Sequence, residues 1–554
     1  MVGLPMTNTI LTLLSAEQVK QYYAAGHWRD DTIYSLVRAQ AERAPDKPAL
    51  RDRFRRVGYG ALATAADALA ADLAARGVKP GERVAVWLPS RVEGVVALLA
   101  CSRNGYVCCP SLHRDHTAGE VVELLRRMRA AAFIGQAGYG ADAAKRDIFA
   151  ELGAIETLRH VYRLEAPADA PLPSGGPSSA AAMKTDPNQI VYLAFTSGTT
   201  GQPKGVMHSD NTLLANARAI AADWSIDADA VVYSLSPLSH NLGFGAMVMA
   251  LAAGGELVIH DLPRGASLID RVVETGASFL VGVPTHAIDL LRELRERKLK
   301  GIGRLKGFRI SGAAAPREVV AQLIDNGVVP QSGYGMTETC SHQYTLPTDD
   351  PNLIIETSGK ACPGYELKIW RSDNPDVEAP VGEVGQIGGR GASLMLGYFG
   401  DQAATEASFN AHGWFMTGDL GWMDQNGYLR ITGRKKDVII RGGHNIYPAR
   451  IEDLAMRHPA VERVAAVPVT DARLGEKVCL AVMWRDGKRI EPAEMLAHLD
   501  TVGLSKYDMP EYFLDVDHIP LTPSGKIRKR DIVDWIAQGR AAPVPVRAAG
   551  KARA

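Results

Sequence analysis

Thr196-Ser197-Gly198-Thr199-Thr200-Gly201-Gln202-Pro203-Lys204-Gly205 follows directly on the apolar run Ile190–Phe195. The run reads as a strand, so the decapeptide is the turn at its end. Glycines let backbone N–H groups approach an anion closely, and hydroxyls can coordinate its oxygens. The stretch reads as a phosphate loop, with a flexible polar turn as the plain alternative. It cannot be aligned with G-x-x-x-x-G-K-[ST], which excludes the P-loop.

Outward from this loop, short apolar runs alternate with helical patterns. Arg83–Leu88 reads as a buried strand, followed by a helix to Cys101 that Ser90 can cap. Ala277–Val283 and Leu305–Ile310 read as strands, His286–Arg297 as an amphipathic helix, and Pro316–Asn326 as a helix opened by proline. Val231–Gly255 carries no charge, but its proline, histidine, asparagine and glycines suit a buried strand–loop–helix rather than a membrane span. Such alternation predicts α/β architecture, a large region of layered mixed sheets and helices. Ala166–Ala182, rich in Pro, Ala, Ser and Gly, reads as a surface linker. After about Gly433 the pattern changes to strands near Val461–Val469 and Val478–Trp484, a helix near Pro492–Leu499 and a strand near Tyr512–Val516. This predicts an N-terminal region over 1–434, a small α+β domain over 435–537, and a disordered Ala/Pro/Arg tail over 538–554.

Composition narrows the function. The 554 residues carry 62 basic and 62 acidic side chains, so no net charge calls for nucleic acid or an anionic membrane. Six cysteines without a C-x-x-C pair make neither a disulfide framework nor a zinc site. The first sixteen residues are uncharged but lack a basic n-region and a cleavage site, so a cytoplasmic protein without stable membrane insertion is expected. His113, Asp115 and His116 lack a third ligand in view, and read as a solvated loop rather than a metal site.

The decapeptide resembles the phosphate loop of the adenylate-forming superfamily, which includes acyl-CoA synthetases, aryl-acid ligases, carrier-loading adenylation domains and luciferases. Tyr334-Gly335-Met336-Thr337-Glu338, Thr417-Gly418-Asp419, Gly433-Arg434-Lys435-Lys436-Asp437 and Pro523-Ser524-Gly525-Lys526 follow in that family's order. Each string alone is weak, but five in sequence exclude coincidence. The resemblance implies a small mobile C-terminal domain and a site in the cleft beside it.

It also implies roles. A carboxylate becomes an acylating agent by attacking the α-phosphorus of ATP, and the mutual repulsion of the two anions demands fixed positive charge and a metal cation. Thr196, Ser197, Gly198, Thr199, Thr200, Gly201 and Lys204 would hold the departing phosphates. Glu338 would ligate Mg²⁺, and Thr337 would bond the α-phosphate. Tyr334 would stack on adenine beside Gly312-Ala313-Ala314. Asp419 and Arg434 would hold the ribose, and Lys526 would bridge carboxylate and α-phosphate. Ser332 stands where relatives often carry a stronger reader of the adenine amino group. Lys436 matches the hinge of domain rotation, and Gly443 matches the glycine that lines the thiol tunnel. The proline-to-lysine context of Lys526 resembles sites of a lysine acetyltransferase.

The implied acid pocket comprises His240, Asn241, Gly243 and Phe244, with Val283 and Pro284 opposite and Cys340-Ser341-His342 beyond. No aspartate lies between Val231 and Gly255 to pair a substrate ammonium, so amino acids should be rejected. His-Asn resembles aryl-acid ligases, Gly243-Phe244-Gly245 short- and medium-chain ligases, and Tyr23–Trp28 both aryl-acid and cyclohexanecarboxylate ligases. The expected substrate is an uncharged, mostly apolar monocarboxylic acid (medium-chain, alicyclic or aromatic), with Gly243→Trp filling the slot. Three readings compete: an acid:CoA ligase using ATP, Mg²⁺ and coenzyme A, an enzyme loading a carrier protein, and an idle nucleotide-binding scaffold. The intact catalytic positions speak against the scaffold, and the absence of a carrier domain in the chain favours coenzyme A.

Overall fold

The computed structural model describes residues 13–166, 186–196, 203–263, 265–312, 315–485, 487–521 and 527–546. The linker reading for Ala166–Ala182 falls almost wholly outside them. Two compact units emerge: Met1–Leu367 with Gly389–Phe415, and Lys368–Gly388 with Met416–Ala554.

The first unit holds a nine-stranded and a seven-stranded sheet. The larger is parallel in the middle and antiparallel at both edges, and the smaller is parallel except at its Gly397–Tyr398 edge. In the larger sheet, strands Glu256–Ile259, Val231–Ser234, Phe279–Gly282, Gly307–Ile310 and Val329–Met336 run parallel in that spatial order. In the smaller, Arg83–Trp87 lies between Val107–Cys109 and Ala130–Gln136, again in parallel. Parallel neighbours require crossover helices, and Val92–Asn104 and Asn241–Ala253 supply two of them. The largest apolar cluster joins both sheets to these helices, with Leu98, Tyr192, Phe244, Val281 and Tyr344 among its members. This is the predicted layered α/β arrangement, with strand and helix ends shifted by a few residues. Ser90 does not cap its helix. Arg91 occupies the N-cap, and the Ser90 hydroxyl instead accepts from Leu238 N–H at 3.0 Å.

The second unit contains the sheet of Tyr512–Asp515, Gly475–Trp484, Ile439–Arg441 and His444–Ile446, with Val461–Asp471 also paired to Gly475–Trp484. Helices Pro448–Met456 and Pro492–Thr501 cover a core of Ile451, Leu454, Val478, Leu480 and Leu499. The disordered-tail expectation is corrected over 538–546. Val544–Pro545 adds an antiparallel strand against Tyr512 and Phe513, so backbone pairing overrides the low-complexity composition. All six cysteines are buried and free. No helix among the described residues is long and apolar enough to cross a membrane.

Candidate active site

The phosphate-loop motif spans a hairpin. Strands Ile190–Thr196 and Lys204–Ser209 run antiparallel, and Thr196 and Lys204 are cross-strand partners at the mouth of the turn. Ser197, Gly198, Thr199, Thr200 and Gly201 lie outside the described residues, as do Ala313, Ala314 and Lys526. The Lys204 ammonium sits 4.6 Å from the Tyr398 ring centre, a cation–π distance. The Tyr398 hydroxyl in turn donates to Glu338 Oε1 at 3.0 Å. Burial, and then the Glu338 charge, push the Tyr398 phenol pKa up, so it stays a donor. The chain thus brings Lys204 and Glu338 to one place from positions 134 residues apart in sequence.

Glu338 owes its position to a second tight hairpin. Met336 pairs with Cys340, Thr339 N–H donates to Met336 carbonyl at 3.1 Å, and Cys340 takes a left-handed φ of 57° to close the turn. Thr337 and Glu338 occupy its tip. His208 braces that tip from below. It is fully buried, with Nε2 2.7 Å from the Thr337 carbonyl and Nδ1 3.0 Å from Thr212 Oγ1. A carbonyl only accepts, so Nε2 carries the proton. Burial lowers the His208 pKa to about 4, which keeps the ring neutral. Sequence reading passed over His208. Its only signal was the polar run His208-Ser209-Asp210-Asn211-Thr212 immediately after an apolar strand, where a capping box opens helix Asp210–Asp223.

Tyr334 is buried, with its ring edge-on to His342 at 5.2 Å. Ser332 cannot serve freely as an adenine reader, because its hydroxyl donates to the Ile354 carbonyl at 2.8 Å. Gly312 follows strand Gly307–Ile310, and Ser311 N–H bonds the Gly282 carbonyl at 3.1 Å. Gly312, Val283 and Pro284 therefore stand at the carboxyl ends of neighbouring parallel strands, where open α/β sheets bind ligands. Val283 and Pro284 are themselves buried, since Pro284 opens helix Pro284–Glu296.

His240 is the N-cap of helix Asn241–Ala253, and Asn241 Nδ2 reaches the Met336 carbonyl at 3.5 Å. The helix start is thus tied to the hairpin that carries Glu338. His113 corrects the solvated-loop reading. Its ring meets Ser239 Oγ at 3.1 Å and lies 6.2 Å from the His240 ring, and burial lowers its pKa to about 4. Among the described residues no three His, Cys, Asp or Glu side chains converge on a metal site.

Two pocket expectations are corrected. A Cβ on Gly243 would lie 2.2 Å from Pro237 O and 2.4 Å from Ser236 O, so this glycine permits helix and loop backbones to touch. It opens no slot. Phe244 is 1% exposed and stacks on Tyr192 at 4.0 Å, on the side of the helix where Val86, Leu88 and Met247 line a small apolar pocket. The side that continues from Asn241 carries Gly245, whose Cβ would meet nothing within 4 Å. We expect Gly243→Ala to destabilise the protein by about 1–3 kcal/mol, as overpacking against immobile backbone does. A denaturant titration showing an unchanged midpoint would refute this.

In the second unit, Asp419 and Arg434 are cross-strand partners with Arg434 Nε 3.3 Å from Asp419 Oδ1. Thr417 Oγ1 donates to the Ile387 carbonyl at 2.9 Å and accepts from Asp419 N–H at 3.1 Å, fixing the carboxylate. Lys436 is exposed in the single turn Lys435–Asp437. Gly442 and Gly443 form a two-residue hairpin turn with φ of 59° and 85°, which by itself favours glycine at 443.

Residues 37–399 match the family model described as AMP-binding enzyme, and residues 450–526 match that of the AMP-binding enzyme C-terminal domain. The chain is 30% identical over 547 residues to the medium-chain fatty-acid–CoA ligase of Escherichia coli, covering 96% of both proteins. It is 31% identical to a salicylyl-CoA synthase / salicylate adenylyltransferase of a Streptomyces species, over 95% of this chain and 97% of that protein. ATP-bound MatB from Rhodopseudomonas palustris superposes with a TM-score of 0.82 at 29% identity, over 91% of this chain and 99% of that one. Both sheets, the converging Lys204 and Glu338, and this match across most of the chain agree, and the chain belongs to the AMP-binding enzyme family.

Proposed function

We propose that this protein activates a mostly apolar monocarboxylic acid with ATP to an acyl-adenylate. It then transfers the acyl group to the thiol of coenzyme A, with release of AMP and pyrophosphate. The observation that carries this reading is the approach of Lys204, Glu338 and the Asn241 helix start to one hairpin tip. A phosphate-binding cation, a hard oxygen ligand and an acid pocket are what in-line attack on an α-phosphate requires. The residues fit Mg²⁺, which characteristically takes one or two carboxylates and completes its shell with water and substrate phosphates. Glu338 would hold that ion, whose charge offsets the phosphates, while Lys204 and the loop 196–201 bind the departing pyrophosphate. Thr337 would bond the α-phosphate, Tyr334 and Gly312-Ala313-Ala314 would flank adenine, and Asp419 and Arg434 would fix the ribose.

The second half-reaction rests on domain alternation of residues 435–537 against 1–434 about Lys436, with the thiol arm passing Gly443. Carrier-protein loading remains the alternative, since a relative from Mycobacterium tuberculosis that is 30% identical is named salicyl-AMP ligase / salicyl-S-ArCP synthetase. Intact-mass analysis of the protein from its native host tests acetylation of Lys526, which would remove the charge adenylation uses.

Purified enzyme with ATP, Mg²⁺, coenzyme A and a panel of acids, read by mass spectrometry, tests the function. Acid-dependent AMP with an acyl-CoA product is expected, and an adenylate that coenzyme A never captures would favour the carrier. Gly245→Trp replaces Gly243→Trp as the pocket test. The indole would enter open space on the Asn241 face, and turnover of ring acids should fall at least tenfold relative to short-chain acids, about 1.4 kcal/mol of transition-state binding. An unaltered ratio would remove Gly245 from the pocket.

A further inference from the structure

The larger sheet buries a guanidinium for which the described structure supplies no counter-ion. Arg309 is 2% exposed in strand Gly307–Ile310. Its neighbours Phe308 and Ile310 pack with Leu290 and Leu323 on one face of the sheet. Alternation along the strand puts Arg309 on the other face, shared with helix Asn241–Ala253. There Nη1 meets Gln331 Oε1, and the guanidinium lies 5.6 Å from the Tyr344 ring centre. Among the described residues Nε and Nη2 have no hydrogen-bond partner, and neither has Gln331 Nε2, while His342 beside them is fully buried. The acid beside Tyr344, Asp223, is bonded to the Tyr344 hydroxyl at 2.8 Å. Burial lowers the Arg309 pKa only to about 10, so it stays a cation at neutral pH, and burial with the Arg309 charge holds His342 neutral, at about 3.

Beside this charge the sheet is partly open to solvent. Gly333 and Ser341 are partly exposed although Gln331, Tyr334 and His342 around them are buried. Gly333 has no side chain to close the gap, and a Cβ there would come within 3.0 Å of Arg309 Nη2. Across from them, Asn241 touches the Met336 carbonyl, and Gly245, one helical turn on, faces open space. These partly open positions run from the Glu338 hairpin to the unsatisfied donors of Arg309. Buried polar groups without partners are rare in native proteins, and a ligand that completes them is recognised by what it lacks otherwise.

We propose that Arg309, with Gln331 and His342, is the far-end recognition site of the acid pocket, and that the substrate carries a hydrogen-bond-accepting oxygen remote from its activated carboxyl. This rests on the ligase reading and sharpens it. The body of the acid is apolar, but its distal end is not. A ketone keeps the acid monocarboxylic and a second carboxylate would make it dicarboxylic instead; the two share this acceptor chemistry, and matched acids distinguish them.

The test compares a plain medium-chain or alicyclic acid, its distal-oxo analogue and the corresponding dicarboxylic acid, reading kcat/KM for acid-dependent pyrophosphate release. Wild-type enzyme should favour one of the two oxygen-bearing acids over the plain acid by at least ~10²-fold, because a site built for an acceptor rejects its deletion strongly. Arg309→Met should bring that ratio to near one. Gly333→Ala keeps the guanidinium charge but crowds Nη2 with a methyl at 3.0 Å, so it should lower the ratio too, and it serves if Arg309→Met fails to fold. A wild-type preference for the plain acid, or a ratio indifferent to both substitutions, would overturn the proposal and leave Arg309 a structural cation. Failure of every acid to release pyrophosphate would instead strike the ligase reading itself.

Discussion

Lys526→Ala is expected to slow adenylate formation by at least ~10²-fold, the loss seen when a single transition-state donor is removed. The anionic carboxylate and the α-phosphate repel each other, and a bridging ammonium is most valuable at the moment they share charge. The lysine directly precedes a pinned point of the chain. Leu521 and Ile527 form a β-bridge, and Arg528 N–H bonds the Pro520 carbonyl at 2.8 Å, so the described residues on either side of Lys526 are tied together. Transfer to coenzyme A from a preformed acyl-adenylate needs no such bridge and should survive. Pyrophosphate exchange and thioester formation, measured separately, check this. Equal damage to both steps would take Lys526 out of its assigned role.

The second large effect is expected at Lys436, with the opposite pattern. Lys435–Asp437 make one exposed turn between strands Leu429–Arg434 and Ile439–Arg441. Proline at 436 fixes φ and also restricts the residue before it, so a turn that must change its dihedrals loses that freedom. A rotation barrier raised by about 3 kcal/mol lowers a rate ~10²-fold, and thioester production should fall on that scale. Pyrophosphate exchange should be largely kept. Persistence of both half-reactions would show that the hinge lies elsewhere.

Local signals in the sequence sufficed for the architecture and for the family. Strand–helix alternation from Arg83 to Met336 predicts parallel layers because an apolar run of four to seven residues has few other places to be buried. The five ordered motifs name the chemistry because phosphate loops and metal-ligating turns are contiguous in the chain. Low complexity misled at Val544–Pro545, where the pairing partner Tyr512–Asp515 is distant in sequence and supplies hydrogen bonds that composition does not report.

Side-chain direction was not legible in the same way. Gly243 and Gly245 look alike in sequence, yet one abuts the Ser236–Pro237 backbone and the other faces open space. Their difference arises from the rotation of one helix against its loop, which the packing of Phe244 on Tyr192 decides. His208 reads as an ordinary polar residue until the fold sets it 2.7 Å beneath the Thr337 carbonyl. Arg309 reads as one charged residue in a short strand, and only the pairing of that strand between Phe279–Gly282 and Val329–Met336 buries it, with no carboxylate paired to it among the described residues. The sequence by itself determined which chemical groups the protein owns and the order of its strands and helices, since both are written in short contiguous patterns. Tertiary structure alone decided which of those groups face one another, because that depends on registers and helix rotations set by contacts hundreds of residues apart.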